Sequence, residues 1–252
     1  MDENLIKAGT ENFNLPHDVV PLPSGGIFYK NKKKSVKVGY LTASDENLIV
    51  GAISNPNTNI VTSLVRSKLY ETDIRPEELL EGDIEAILIY LRNTSFGPEY
   101  TISLLDPKTN KQFESTIVLD ELNIIKPKVQ PNENGYFEVK LPRSEVMVKL
   151  KPLTYGEILE IDKMVESYPA NMIAPRVTWR LMKQIIEING ESDREKVSQM
   201  ISNLPIMDSK FIKNFINENE PSLDLKRTVR APSGDLVNFD ITFGVDFFRP
   251  FF

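Results

Sequence analysis

KPKVQPNENG, residues 126–135, is the stretch on which the fold turns. Two prolines, two asparagines and a closing glycine leave Val129 as its one aliphatic side chain, so neither a helix nor a strand is expected to run through it. On both sides the pattern is regular. A break over 127–135 therefore separates an N-terminal module, 21–126, from a C-terminal module, 136–252. Residues 1–20 read as a polar, flexible leader.

Working back from the break, Phe113–Leu119 and Tyr100–Leu105 alternate about Asp-Pro-Lys-Thr-Asn, the pattern of a hairpin. Before it, Pro76 opens PEELLEGDIEAILIYLRN, with Ile84, Ile87, Leu88 and Leu91 at helical spacing, and the helix is expected to stop near Phe96-Gly97-Pro98. Ile60, Leu64 and Leu69 mark another helix. Ser35–Leu41 alternates as a half-buried strand and leads into a helix capped at Thr42 or Ser44, where Asp45 and Glu46 suit the positive dipole end. Working forward, strands are expected at Tyr136–Leu141 and Glu145–Leu150. Thr154 and Glu157 form a capping box, and helices follow over Val177–Ile188, Arg194–Leu204 and Ser209–Glu218. A hairpin of Leu223–Arg230 and Leu236–Phe243 closes the chain. The fold class is α+β, two modules of short antiparallel strands packed on several helices. The matching steps VKVGYLTASDENLI (from Val36) and VMVKLKPLTYGEILE (from Val146) leave open an internal duplication.

Composition narrows the chemistry. The chain has 252 residues, a net charge of −6, no cysteine and one histidine, His17. Thiolate nucleophiles, disulfides and Cys-based zinc sites are excluded, and a His-based metal site or a Ser-His-Asp triad has no second histidine to draw on. The chain has 36 acidic residues, and those at Glu77, Glu78, Glu81, Asp83 and Glu85 read as solvated helix starts, but none has the spacing of HExxH or an EF-hand loop. No catalytic, cofactor-binding or metal-binding residue is assigned. No apolar run is long enough to span a membrane, and the acidic start MDENLIKAGTENFN lacks a signal-peptide core, so the protein is expected to be soluble and to stay where it is made.

Two segments stand out as partner-binding candidates. In LPSGGIFYKNKKK, residues 22–34, glycines precede a basic cluster, yet no helix N-terminus follows them to grip a phosphate. Pro23, Gly25 and Gly26 set a turn and Ile27, Phe28 and Tyr29 anchor it. Lys32, Lys33 and Lys34 keep its far end solvated or offer it to an acidic protein neighbour. Nucleic acid held by Lys30–Lys34 is the alternative, against which the acidic net charge argues. The second segment is the ending, where Phe247, Phe248, Arg249, Phe251 and Phe252 gather four rings in six residues. Such a tail either docks on its own domain or inserts into a partner.

These two ends carry a resemblance. LPSGGIFY, a basic turn and a strand into LTASDENLI, together with the closing Phe247-Phe248-Arg249-Pro250 after a hairpin, resemble the baseplate hub proteins of T-even-like contractile-tailed phages. Some relatives carry a Cys-x-x-Cys hairpin where this chain has Arg230-Ala-Pro-Ser-Gly-Asp, so no zinc staple carries over. The resemblance implies a non-enzymatic late protein of the tail, a hub subunit or a hub-assembly chaperone. Its expected partners are other baseplate or tail proteins, or a second copy. Its expected place is the cytoplasm of the infected host during assembly, and then the virion baseplate. No cofactor, membrane or nucleic acid is implied.

Overall fold

The computed structural model describes residues 16–54 and 59–248. Strand β1 (His17–Pro21) pairs antiparallel with β2 (Ser35–Gly39), placing Val20 opposite Val36. Both valines and Val38 are buried, so the alternation of β2 puts its expected face inward. The leader expected over 1–20 thus gives way to a strand at His17, and residues 1–15 lie outside the described residues. Helix α1 (Ala43–Ser54) starts at Thr42, whose N–H and hydroxyl both donate to Asp45 at 2.7 and 2.6 Å. Asp45 also forms a buried ion pair with Lys68 at the end of helix α2 (Ile60–Lys68).

One helix was expected from Pro76 onward; two pieces form. A single 3-10 turn spans Pro76–Glu78, and helix α3 runs Glu81–Phe96. Leu79 and Leu80 between them are extended because other parts of the chain take their backbone groups. The Leu79 carbonyl accepts the Tyr155 N–H at 2.7 Å, and the Leu80 N–H donates to the Tyr29 hydroxyl at 2.9 Å. At the far end the expected stop holds: Gly97, at φ 84°, closes α3. Strands β3 (Glu99–Leu105) and β4 (Gln112–Val118) then form the expected hairpin.

After the short strand β5 (Ile124–Ile125) comes a three-stranded antiparallel sheet of β6 (Phe137–Lys140), β7 (Met147–Leu150) and β8 (Ile185–Ile188), with β7 central. Helix α4 (Tyr155–Glu166) carries the Thr154–Glu157 capping box read from the sequence. Helix α5 (Arg176–Gln184) stops four residues short of the expected Ile188. There β-branched Ile185, Ile186 and Ile188 leave the helix to pair with β7, Leu150 opposite Ile185 and Val148 opposite Ile188. Helices α6 (Arg194–Ser202) and α7 (Ile206–Asn219) follow. The two strands compared for duplication sit differently: β2 has the strand β1 on one side and a single bridge, Val38 to Leu69, on the other, whereas β7 has a strand on both sides.

Seven helices and sheets of two or three antiparallel strands among the described residues make the fold α+β, as the pattern implied. Its apolar residues form two cores. The second holds Phe137, Val148, Leu150, Ile185, Val197, Ile212 and their neighbours. The first gathers β1, β2 and α1 to α3, and also takes Ile241, Phe247 and Phe248 from the end of the chain. Strand β9 (Ser222–Leu223) pairs with β5, so the chain leaves the first core, builds the second and returns. The hairpin of β10 (Lys226–Arg230) and β11 (Leu236–Asp240) then packs on the first core. Buried Asp106, in the β3–β4 turn, accepts N–H groups from Lys108, Thr109 and Ser233 (2.9, 3.2 and 3.0 Å), tying that turn to the β10–β11 turn.

Candidate functional site

The loop Leu22–Lys34 is shaped by its own backbone. The Leu22 N–H donates to the Lys34 carbonyl at 2.9 Å, and the Gly25 N–H to the Leu22 carbonyl at 2.8 Å. Gly25 and Gly26 take φ of 58° and 76°, the left-handed region. A Cβ on Gly26 would stand 2.5 Å from the Lys33 carbonyl oxygen, so the chain folds back on itself too closely for a side chain there.

Beyond the turn, the loop locks onto the start of α3. Buried Asp83 accepts the Ser24 N–H at 2.9 Å and the Tyr29 hydroxyl, and the Tyr29 oxygen in turn accepts the Leu80 N–H. Burial, then the Asp83 charge, pushes the Tyr29 phenol well above its usual range, so it stays protonated and donates. Burial likewise raises Asp83, while the Ser24 and Tyr29 hydrogen bonds hold it back. These contacts seat Tyr29 in the first core.

The neighbouring ring points to the other core. Phe28 packs on Phe137 at 5.8 Å between centroids, and Phe137 meets Phe215 edge-on at 5.3 Å. Gly135, the last residue of the 127–135 break, has φ 78°, and a Cβ on it would lie 3.0 Å from the Phe28 Cα. Lys32 Nζ donates to the carbonyls of Ile27 and Glu133 at 3.0 and 2.6 Å. Ile27 is half-buried. The loop read as a partner surface is, in this structure, the joint between the two cores.

Its lysines divide. Lys33 pairs with Glu71 at 2.6 Å and with Asp73, and its hydrogen bonds hold both carboxylates below their usual range. An acidic neighbour for Lys33 therefore exists within the chain. Lys30 and Lys34 stand exposed.

The tail also turns inward. Phe247 and Phe248 are each 1% exposed. Phe247 meets Tyr100, Phe243 and Phe248 edge-on at 5.3, 4.8 and 5.1 Å. Buried Arg92 donates Nε to the Phe247 carbonyl at 3.1 Å and lies 4.8 Å above the Tyr100 ring. Arg249, Phe251 and Phe252 lie outside the described residues.

One surface was not singled out from sequence. Helices α5 and α7 flank a groove of about 650 Å³ lined by Arg176, Val177, Arg180, Lys210, Lys213 and Ile206 among others. Val177 is 65% exposed and Ile206 85%. The signal was there: Ile206 precedes buried Ile212 by six positions, which sets it about a third of a turn round the helix from the inward stripe. Among the described residues no group of three or more His, Asp or Glu is placed to hold a metal, and no helix is long and apolar enough to cross a membrane.

A family model described as T4 bacteriophage base plate protein matches residues 25–249. No curated protein and no solved structure matches the chain.

Proposed function

The chain belongs to the family of T4 bacteriophage base plate proteins, and from that premise we propose that it works at the central hub of the baseplate, through protein–protein contacts and without catalysis. It acts there either as a hub subunit or as the factor that helps other hub proteins assemble, first in the host cytoplasm. The observation that carries this reading is the extent of the family match. Residues 25–249 take in the second core, most of the first and the joint between them, and a match of that extent supports a role for the whole body and its outer surfaces.

The same geometry weighs against the nucleic-acid alternative. Lys32 and Lys33 are engaged by Ile27, Glu133, Glu71 and Asp73, which leaves Lys30 and Lys34 on a chain of net charge −6. No DNA or RNA shift is expected in a gel at low salt.

The deciding experiment probes tails and tail intermediates from infected cells for this chain by mass spectrometry. Presence in finished tails makes it a subunit; presence only in intermediates makes it an assembly factor. Absence from both would sink the hub reading. Truncation after Phe248 tests the rest of the tail. It removes Arg249, Phe251 and Phe252 while keeping the buried ring pair, so the thermal midpoint should hold while assembly fails. Normal assembly by the truncated chain would remove the tail from the partner surface.

A further inference from the structure

We propose that the groove between α5 and α7 is a docking site for an acidic amphipathic helix of a neighbouring tail protein. This rests on the protein–protein reading above and names the chemistry of one partner. Arg176 and Arg180 stand four residues apart on α5, and Lys210 and Lys213 three apart on α7, so each pair shares a helix face. None of the groove's lining side chains is acidic. Arg176 pairs with Asp162 on α4, but among the described residues Arg180, Lys210 and Lys213 have no carboxylate within 4 Å. Glu81 and Glu220 act on Arg180 at longer range. Asp208, the one carboxylate in the first turn of α7, is turned away, its two oxygens accepting the Arg143 and Ser144 N–H groups at 2.8 and 2.9 Å. A chain of net charge −6 has thus gathered cations around exposed Val177 and Ile206.

The occupant follows from that chemistry. Carboxylates would meet the cations while apolar side chains covered Val177 and Ile206. The lining comes from two helices and no sheet edge, which suits a helix laid in a groove rather than an added strand. Helix α7, with 14 residues, is about 21 Å long, room for three to four turns of a partner. A two-fold pairing of this groove with itself would oppose cation to cation. No aromatic ring lines the groove on which a nucleic-acid base could stack.

The test uses the full chain and two labelled peptides of about 18 residues, with leucines at helical spacing and either glutamate or lysine elsewhere. Fluorescence anisotropy should show the glutamate peptide binding at least about tenfold more tightly than the lysine peptide, with the preference shrinking as salt rises. The double change Lys210→Glu, Lys213→Glu should weaken the glutamate peptide about tenfold or more, and Ile206→Ser should weaken it without altering the salt dependence. Circular dichroism checks folding. If the double variant does not fold, the single changes Lys210→Ala and Lys213→Ala, both at exposed positions, replace it. Equal binding of the two peptides, or wild-type binding by the variants, would overturn the proposal. So would a heparin fragment that binds as tightly as the glutamate peptide, or a dimer in sedimentation that Ile206→Ser dissolves. In infected cells, variants that lose the peptide should also fail to assemble tails, and normal assembly by them would overturn a tail partner at this groove. Should the chain prove absent from tails and their intermediates while the peptide results hold, the acidic-helix site stands, and the hub reading falls together with the tail protein as the partner.

Discussion

Gly25 and Gly26 are neighbours with the same sign of φ and different jobs. A Cβ on Gly25 meets nothing within 4 Å, so Gly25→Ala carries only the cost of holding an L-residue in the left-handed region, about 1–2 kcal/mol. At Gly26 the same cost is joined by the clash with the Lys33 carbonyl, a backbone atom that cannot swing aside. Gly26→Ala should therefore lower stability clearly more than Gly25→Ala in urea titrations, and equal losses would show that the fold-back is not tight in solution. The sequence made the turn legible, since Pro-Ser-Gly-Gly is turn chemistry wherever it occurs. It did not reveal what the turn serves. Asp83 lies 59 residues from Ser24, and Glu71 and Asp73 lie 38 and 40 from Lys33, so only tertiary structure could match the charges.

Among the elements, those whose contacts are local came out of the sequence close to their true bounds. The Thr154–Glu157 capping box, the Gly97 stop and both hairpins depend on residues a few positions apart. Two of the misplaced boundaries share one cause: a distant segment claims the backbone. Leu79 and Leu80 leave the helical path for Tyr155 and Tyr29, and Ile185–Ile188 leave it for β7. The tail follows the same logic. The 3-10 turn Val245–Phe248 is too short to hold itself, and it is set by Arg92 and by the rings of Tyr100 and Phe243. Phe247→Ala should cost about 3–5 kcal/mol by chemical denaturation, the usual loss for a large buried ring. A loss near zero would detach the tail from the first core.

Across the whole molecule, the seam where the chain returns from the second core to the first is tight and acidic. A Cβ on Gly82 would stand 2.5 Å from the Pro221 carbonyl oxygen. Burial, with Glu81 and Glu220 beside it, pushes Glu85 from its ordinary 4.5 up to about 8, and burial pushes Glu220 up to about 7. Both groups hold protons in the folded chain that the unfolded chain gives up above about pH 4.5, so stability falls as pH rises through about 7 to 8. The thermal midpoint should drop between about pH 5.5 and 8.5, and Glu85→Gln should flatten that slope. A midpoint that rises over the same range would refute the buried-acid account. In the acid direction the sign reverses. Asp45 and Asp208, which burial alone would raise but which their hydrogen bonds hold below the usual range, lose their contribution as they protonate. By itself the sequence determined the α+β class, most of the elements, the shape of the Gly-Gly loop and the lack of thiol or paired-histidine chemistry, because these rest on residue identity and short spacing. Only the tertiary structure decided that Tyr29 and Phe28 join two cores, that the last hairpin and Phe247-Phe248 belong with the first of them, and that cations and exposed apolar side chains meet at α5 and α7. Those outcomes depend on which buried surfaces find each other across the chain, and spacing marks a face as apolar without naming the surface that will cover it.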